Sequence, residues 1–365
     1  MRLLRLSTES STPAARGRDI GAALATEIRD NVDRYLAFFS VRGLAEATVR
    51  EIAESSLAAL TEWAPGLAEE LIATAEAAGV ETWRLAALNA RTEVLAVVGA
   101  DREGECSTAI YAPPGDAAPQ TIQTWDWHAS LCPTGLLLEL VPDATAEAER
   151  RVGRVRLFTE LGMLGKIGVN DAGIGVHFNI LHHVSDHVRG GVPVHAIARR
   201  ILDEATSIGE AEAIARSARV SASTVLTVVS LRDEQPRAVC LELSPERVSV
   251  VVPDAEHWLL HTNHFRHADQ EPGEATPDVS TTYVRLDHVA SRVGEMANLS
   301  VRERGAQMCG ADGASAPICF VPNPVDPPHE QWTTLLTISL DLVDARLDVV
   351  AGSPAFLAAA GPERF

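Results

Sequence analysis

Two residues in the first half of the chain, Cys106 and Asp126, are of types that can do chemistry. They stand in two strand-like runs, ECSTAIYA and TIQTWDW, on either side of the segment PPGDAAP at 113–119. Proline, glycine and aspartate favour turns, so the two runs are predicted to fold back as a β-hairpin. A hairpin centred on Asp116 places Cys106 directly opposite Asp126 on one face of the sheet, whereas a one-residue slip would put them on opposite faces.

A thiol becomes a nucleophile only when a base or a cation helps it to lose its proton, and a carboxylate alone does the reverse. His128 is the nearest histidine in the sequence, and it shares the face of Asp126 only if the strand continues that far. A cut before Cys106 would instead create an α-amino group with an ordinary pKa of about 7.7 to 8.0, a base suited to neutral pH. Asp126 could then orient that ammonium. From the residues alone, a buried structural cysteine is the competing interpretation of Cys106.

A second group of reactive side chains is the histidine-rich segment HFNILHHVSDHVRGG, with His177, His182, His183 and His187. His183 and His187 would share one face of a helix, as metal ligands can. The glycine, serine, aspartate and valine content predicts a loop instead, and no carboxylate spacing completes a metal-binding set. We therefore predict no metal site here, and we expect the loop to border a substrate pocket.

The elements that must position these residues form a helical first part and a strand-rich remainder. From Arg18 to about Val98, apolar residues recur at three- and four-residue spacing among Ala, Leu and Glu, which is typical of three or four packed helices. The segment GADREGE at 99–105 ends this pattern and is the sharpest boundary in the chain. Later interruptions of the strand pattern are helical stretches at 192–218 and 284–296 and a Gly/Pro-rich loop at 305–328. Hairpin strands with few helices predict an α+β fold rather than a parallel βαβ repeat.

The overall composition excludes several classes of partner. The chain has 365 residues, a formal net charge of -19 and a pI near 5.0, so it would repel nucleic acids and anionic membrane surfaces. The opening MRLLRLSTESSTPAAR is too short for a signal peptide, and no run reaches membrane-spanning length, so we expect a cytoplasmic protein. The cysteines are odd in number and far apart, and they are predicted to be free thiols: Cys106, Cys132, Cys240, Cys309 and Cys319.

Four motifs, ECSTAIYAP, IQTWDWHASL, GMLGKIGVNDAGIGVHFNIL and HTNHF, resemble by their order and spacing a family of self-processing enzymes. This is the acyl-CoA:6-aminopenicillanic acid acyltransferase family of N-terminal-nucleophile (Ntn) hydrolases. The resemblance extends from GRDIGAAL to TTLLTISLDL, nearly the whole chain. It implies an αββα sandwich that is cut by its own cysteine between Glu105 and Cys106. Residues 1–105 would become a helical N-terminal chain and 106–365 the αββα catalytic region, and the two would pair as one folded unit.

The resemblance also implies the site. The family nucleophile matches Cys106, the family aspartate matches Asp126, and the asparagine of HTNH matches Asn263, which would donate a hydrogen bond to the oxyanion. The residues expected to contact substrate are His177, Asn179, Trp127 and Ser223, although strand alternation also predicts that Trp125 and Trp127 are core residues. Ser221 and Ser223 stand at the start of a strand, where a serine is more often a cap or a turn residue.

The implied reaction transfers or hydrolyses the acyl group of a small molecule, an amide or thioester, through a thioester on Cys106. No metal or organic cofactor is expected. A coenzyme A thioester with an amine acceptor would make the enzyme a transferase, and an amide substrate with water would make it a hydrolase. The sequence leaves assembly into homo-oligomers open.

Two positions depart from the family pattern. The residue before the cut is often glycine, and here it is Glu105, whose bulk and charge are expected to slow the acyl shift. An arginine expected shortly before the last core strand is replaced by Gln331 and Trp332. The alternative is therefore an unprocessed relative that acts as a small-molecule binding or scaffold protein. A papain-like hydrolase with a histidine base would also need no cut.

Overall fold

The computed structural model describes residues 1–98, 105–142, 152–235, 237–276, 280–327 and 329–365. Its strands are β1 (Arg2–Thr8), β2 (Glu105–Tyr111), β3 (Gln120–His128), β4 (Thr134–Leu140), β5 (Val155–Glu160), β6 (Ile167–Asn170), β7 (Ile174–Ile180), β8 (Thr224–Ser230), β9 (Ala238–Leu243), β10 (Val248–Val251), β11 (Trp258–His261), β12 (Trp332–Asp341), β13 (Arg346–Val350) and β14 (Glu363–Arg364). Its helices are α1 (Pro13–Ala23), α2 (Ala25–Val41), α3 (Glu46–Trp63), α4 (Pro65–Ala78), α5 (Thr82–Asn89), α6 (Arg91–Leu95), α7 (Val194–Glu204), α8 (Ile208–Ser217), α9 (Thr282–Ala290), α10 (Val301–Cys309) and α11 (Pro354–Ala360).

Two sheets pack face to face between two helical layers. The eight-stranded sheet has the order β1-β4-β5-β6-β7-β8-β9-β10, and the six-stranded sheet has the order β11-β2-β3-β12-β13-β14. All neighbours are antiparallel except β1 and β4. Helices α7 and α8 contact the first sheet, and α9, α10 and α11 contact the outer face of the second. The predicted α+β sandwich with αββα layering is confirmed.

The hydrophobic core has two parts, which separate the two faces of the six-stranded sheet. The larger part lies between the sheets and under the N-terminal helices, and it includes Cys106, Trp125 and Trp127. The smaller part lies under α9, α10 and α11 and includes Ala109 and Ile122. Because side chains alternate along a strand, even-numbered residues of β2 and odd-numbered residues of β3 point between the sheets. Trp125 and Trp127 are core residues, as alternation predicts.

The β2–β3 hairpin forms as predicted, but the predicted register is wrong by one residue. Cys106 pairs with Trp125, and Asp126 pairs with Glu105. The loop from 112 to 119 is long and carries no compact turn signature that fixes its centre, so the sequence could not decide between adjacent registers. The side chains of Cys106 and Asp126 therefore lie on opposite faces of the sheet, and Glu105 shares the face of Asp126.

Other sequence expectations have different outcomes along the chain. The histidine-rich segment after β7 is a loop, as predicted, and the helical stretch at 192–218 is divided into α7 and α8. The predicted Gly/Pro-rich loop at 305–328 starts too early, because Gly305 lies within α10 and a 3-10 segment continues to Ser315. The predicted segment at 99–105 lies outside the described residues except for Glu105. Within the part of the chain described, no helix is long and apolar enough to cross a membrane.

The N-terminal helices are joined to the later part of the chain by buried charges. Arg16 of α1 donates to Glu70 of α4 at 2.7 Å, and Arg199 of α7 donates to the other oxygen of Glu70 at 2.8 Å. Gly17 permits this approach, because a Cβ there would lie 2.3 Å from the Glu70 carbonyl oxygen. A buried carboxylate between two guanidinium groups is costly to break, so this cluster fixes α1 and α4 to α7.

Candidate active site

Cys106 stands at the start of β2 and is surrounded by polar groups from two distant segments. Its side chain is buried, with 2% of its surface exposed. Its backbone nitrogen donates a hydrogen bond of 2.8 Å to Asn263 Oδ1, two residues after β11. Arg285 of α9 donates to the carbonyl oxygen of Cys106 at 2.6 Å and to Asn263 Oδ1 at 2.9 Å. The fold thus gathers Cys106, Asn263 and Arg285 at one point.

Asn263 is held in a single orientation by bonds to each of its polar groups. Its Nδ2 donates to the carbonyl oxygen of Ile180 at 2.9 Å, and its backbone nitrogen donates to Thr282 Oγ1 at 2.8 Å. An amide nitrogen carries two hydrogens, so one Nδ2 hydrogen remains after the bond to Ile180. The structure gives Asn263 a first task that the sequence did not indicate, which is to accept from the Cys106 nitrogen. The predicted oxyanion role of the remaining hydrogen stays a prediction.

Asp126 lies on the outer face of the six-stranded sheet and has no exposed surface. Its carboxyl accepts a hydrogen bond from Thr334 Oγ1 of β12. Burial raises the pKa of Asp126 to about 8; Thr334 and Arg285 oppose this rise, and Glu105 adds to it. In the uncut chain the carboxyl is therefore largely protonated near neutral pH. The predicted contact between Asp126 and a free ammonium of Cys106 stays a prediction.

The thiol of Cys106 faces the inner core, with a lysine nearby. Burial raises the pKa of this thiol to about 12, the charge of Asp126 adds to the rise, and the charges of Lys166 and Arg285 lower it. The Nζ of Lys166 lies 3.6 Å from the ring centroid of Trp125, the cross-strand partner of Cys106. Lys166 is the only lysine in the sequence. A basic group thus lies on the same face as the thiol.

Lys166 is itself fully buried and electrostatically balanced. Its Nζ donates to Glu160 Oε1 at 3.1 Å, and Arg91 also binds Glu160, at 2.9 Å. The pKa of Lys166 is lowered to about 8. Burial and the charge of Arg91 lower this pKa, and the charges of Glu160 and Cys106 partly oppose them. A lowered pKa increases the neutral fraction of the Lys166 amine near neutral pH, and a neutral amine can accept a proton.

Glu105, the residue before the predicted cut, is bound at the N-terminus of α9. Its Oε1 accepts from Ser280 Oγ and from the Thr281 backbone nitrogen, each at 3.0 Å. Its Oε2 accepts from Thr281 Oγ1 at 2.7 Å and lies 3.5 Å from Arg285 Nε. The structure supplies the charge of Glu105 with several donors, and the expectation that its bulk and charge slow the acyl shift stays a prediction.

Arg285 is the functional residue that sequence reasoning missed. It has no exposed surface, and it also donates to Ser107 Oγ at 3.0 Å. The positions where an arginine was expected lie elsewhere: Gln331 donates to the Asp326 carbonyl oxygen, and Trp332 packs on His128 with ring centroids 4.1 Å apart. A guanidinium therefore reaches the site from α9 and not from the segment before β12. A single arginine in a helical stretch carries no signal that could have indicated this.

Two predicted substrate residues, His177 and Asn179, lie between the sheets. His177 Nδ1 lies 2.8 Å from Gln123 Oε1, and burial lowers the pKa of His177 to about 3. Asn179 Oδ1 accepts from Thr108 Oγ1 at 2.9 Å, and its Nδ2 donates to the Thr262 carbonyl oxygen at 3.1 Å. These bonds tie β7 to β2 and β3 and to the Asn263 segment. Neither His177 nor Asn179 bonds to Cys106, so their role in binding substrate stays a prediction.

The other two predicted substrate residues are also fully packed. Trp127 Nε1 donates to Tyr35 Oη at 2.8 Å, and the guanidinium of Arg91 lies 4.2 Å from the ring centroid. Ser223 Oγ donates to Asp186 Oδ1 at 2.6 Å. Their placement favours a structural role.

The histidines provide no partner for the thiol in the contacts of the described residues. His128 packs against Phe38 and Trp332, and burial lowers its pKa to about 4. His183 pairs with Ser185 Oγ at 2.6 Å within its own loop. Among the residues that the structure describes, no group of three His, Cys, Asp or Glu side chains could hold a metal ion.

Comparison with known proteins identifies relatives of this arrangement. The sequence profile described as acyl-coenzyme A:6-aminopenicillanic acid acyl-transferase matches residues 121–355. The chain is 28% identical over 293 residues to the 40 kDa form of acyl-coenzyme A:6-aminopenicillanic-acid-acyltransferase from Emericella nidulans, over 78% of this chain and 76% of that protein. A mutant of conjugated bile acid hydrolase from Clostridium perfringens aligns with a TM-score of 0.46 at 12% identity, over 67% of this chain and 89% of that one. An N-acylethanolamine-hydrolyzing acid amidase ortholog from Caenorhabditis elegans aligns with a TM-score of 0.41 at 14% identity, over 65% and 93%. The profile match includes Asp126, Asn263 and Arg285.

Proposed function

The chain belongs to the acyl-coenzyme A:6-aminopenicillanic acid acyl-transferase family, and from this membership we propose that it is a self-processing enzyme. Cys106 cuts the bond that precedes it and then, as the N-terminal residue, carries an acyl group as a thioester. One observation supports this proposal most directly. The backbone nitrogen of Cys106, which the cut would convert into an α-amine, already has a positioned acceptor at 2.8 Å in Asn263 Oδ1.

The cut itself is an acyl shift followed by hydrolysis. The thiol of Cys106 attacks the carbonyl carbon of Glu105, the C–N bond breaks, and the leaving nitrogen takes up a proton to become the α-amine. Water then opens the thioester, which leaves a carboxylate on Glu105 and a free thiol on Cys106. Arg285 supports this step by holding the Cys106 carbonyl oxygen and Asn263 in fixed positions.

After the cut, the α-amine of Cys106 serves as the general base for its own thiol. Its ordinary pKa of about 7.7 to 8.0 suits neutral pH. Asn263 Oδ1 holds the amine, Asp126 orients it, and the remaining Nδ2 hydrogen of Asn263 stabilises the oxyanion. An amine that resolves the acyl-enzyme makes the reaction a transfer, and water makes it a hydrolysis. A coenzyme A thioester or an amide would be the acyl donor.

The two chains produced by the cut would remain together. The small chain, 1–105, contributes β1 to the eight-stranded sheet, where it pairs with β4 of the large chain, 106–365. The buried Glu70 of the small chain is bound by Arg199 of the large chain. Separating the chains would break the pairing of β1 with β4 and remove one of the two guanidinium groups that bind the buried Glu70, so we expect the cut to leave one folded unit.

Before the cut there is no α-amine to act as the base. We propose that Lys166, whose amine lies on the same inner face as the thiol, accepts the proton of Cys106. Replacing Lys166 by methionine should slow self-processing about a hundredfold, the lower range for loss of a general base. The wild-type rate should rise with pH through about 8, because the neutral amine increases as Lys166 loses its proton. Measuring the processing rate against pH checks both statements.

The matched control for this prediction is Lys166→Arg. It keeps a cation beside Glu160 and Trp125, but a guanidinium does not release its proton near neutral pH. Arg91 continues to bind Glu160 in either variant, at 2.9 Å. Processing of Lys166→Arg at the wild-type rate would mean that the lysine acts only through its charge, and the base assignment would fail.

The experiment that tests the proposed function is intact-mass analysis of the purified protein under denaturing conditions. We expect a small chain that ends at Glu105 and a large chain whose first residue is Cys106, in place of the 39.0 kDa chain. A 39.0 kDa chain that persists on incubation would favour the binding or scaffold alternative. Supplying an N-acyl amine with and without a second amine then separates transfer from hydrolysis.

A further inference from the structure

The carboxylate of Glu105 is bound as a ligand would be, by donors from another part of the chain. Ser280 Oγ and the Thr281 backbone nitrogen donate to one oxygen at 3.0 Å, and Thr281 Oγ1 donates to the other at 2.7 Å. Thr281 Oγ1 accepts in turn from Arg285 Nε at 3.0 Å, so the guanidinium supports the donor that binds the carboxylate. Arg285 is completely buried, whereas 15% of the Glu105 side chain is exposed. This carboxylate site consists of Ser280, Thr281 and Arg285.

The position of Glu105 in the proposed reaction connects this carboxylate site with the binding of acyl groups. In self-processing, the acyl group of Glu105 is the first that the sulfur of Cys106 carries. Every later acyl group is attached to the same sulfur through the same kind of bond. On the premise that later acyl groups keep the orientation of this first one, their chains leave the carbonyl carbon where the Cα of Glu105 did, towards the carboxylate site. The side chain of Glu105 thus indicates the chemistry of the acyl subsite.

Resting on the proposed function, we propose that the acyl subsite takes an acyl group with a distal carboxylate, spaced from the carbonyl carbon as in glutamate. Glutaryl and α-linked glutamyl groups have this spacing. The subsite becomes free when the new carboxyl end at Glu105 withdraws after the cut. The carboxylate of the substrate then accepts from Ser280 Oγ, the Thr281 nitrogen and Thr281 Oγ1, beside the guanidinium of Arg285.

The energetics favour an anionic acyl group over a neutral one of the same shape. Hydrogen bonds to a charged group are stronger than bonds between neutral groups, and a buried donor without an acceptor carries a desolvation cost. A neutral acyl chain would leave the donors of the carboxylate site partly unsatisfied. We therefore expect the anionic group to react about tenfold or more faster at equal concentration.

One neighbouring group could oppose an anion, and its protonation removes the conflict. Asp126 faces the same side of the sheet as Glu105 and pairs with it across the hairpin. Burial raises the pKa of Asp126 to about 8, so its carboxyl is mostly neutral at pH 7. Among the residues that the structure describes, the guanidinium of Arg285 lies beside the carboxylate site, 3.5 Å from Glu105 Oε2, and it attracts the anion.

The test uses the full chain after processing, with two thioesters of N-acetylcysteamine as acyl donors. One carries a glutaryl group, and the other carries its neutral isostere in which the distal carboxylate is a carboxamide. The measured quantity is kcat/KM for release of the thiol, a step common to transfer and hydrolysis. The ratio of the two values on one preparation is independent of the fraction of folded enzyme. The test variants are Ser280→Ala and Thr281→Val.

The matched control is Ser291→Ala, a hydroxyl deletion at the far end of α9, where Ser291 Oγ donates to the His288 carbonyl oxygen at 2.7 Å. We expect the wild type and the control to favour the glutaryl donor by about tenfold or more, and the two test variants to reduce this ratio severalfold. A processed chain that favours the neutral donor, or that keeps its ratio in both test variants, overturns the subsite and leaves the proposed function intact. A processed chain that releases thiol from neither donor also overturns the subsite, whereas a chain that remains whole overturns the proposed function as well.

Discussion

Replacing Cys106 by alanine leaves a single chain of 39.0 kDa and abolishes thiol release from acyl thioesters. The methyl group of alanine can neither attack the carbonyl carbon of Glu105 nor carry an acyl group, so both the cut and the later chemistry end. Both rates should fall to the uncatalysed background, a larger loss than replacement of Lys166 or Arg285 should cause. Intact mass after incubation and the rate of thiol release measure the two effects separately.

The control for this variant is Cys240→Ala. Cys240 is equally buried, burial raises its thiol pKa to about 12 as it does for Cys106, and its sulfur lies 3.2 Å from Thr227 Oγ1. Both substitutions remove a core sulfur and cost similar packing energy, but Cys240 lies in β9 of the eight-stranded sheet and the hydrogen bond of its sulfur is to Thr227. Processing of the Cys106→Ala variant between residues 105 and 106 would contradict the assignment of the nucleophile. Failure of Cys240→Ala to be cut would mean that lost stability alone stops processing.

The α+β class of the fold was predictable because it depends on local patterns, whereas the αββα layering was implied by the family resemblance. Apolar spacing marks the helices up to Val98, and the turn residues at 113–119 mark the β2–β3 hairpin. Strand β1 was not predicted, because RLLRLST has only partial alternation and is stabilised by pairing with β4, far along the chain. An element that is stabilised by partners far along the chain has only a weak pattern in its own sequence.

The site shows the same division between local and distant information. The resemblance indicated Cys106 and Asn263, and the fold brings them within 2.8 Å although 157 positions separate them. Arg285 is 179 positions from Cys106 and appears in no local pattern, so only the packing of α9 against β2 reveals it. The register error had a comparable origin, because a long loop does not fix which residue of β3 faces Cys106. Sequence motifs thus indicate the reacting groups, whereas the groups that position them are found only in the tertiary structure.

Arg285 is the positioning residue whose loss should cost most after that of Cys106 itself. Arg285→Met removes the donors to the Cys106 carbonyl oxygen and to Asn263 Oδ1, and it removes the cation beside Glu105. We expect self-processing to slow by about 10² to 10³, the range for loss of a preorganised donor at a reacting centre. The rate of appearance of the large chain in intact-mass time courses measures this effect.

Arg304→Met separates this effect from the general cost of removing a buried guanidinium. Arg304 of α10 also lies under the outer face of the six-stranded sheet, where it donates to Ser339 Oγ at 2.9 Å and to the Thr121 carbonyl oxygen at 3.2 Å, with no bond to Cys106. Both variants should lose stability, since each leaves buried acceptors unpaired. Only Arg285→Met should slow processing per folded molecule, with folding followed by thermal melting in the same buffer. Equal slowing in the two variants would show that Arg285 serves the fold alone. The proposed role of Arg285 in positioning Cys106 for self-processing would then be rejected.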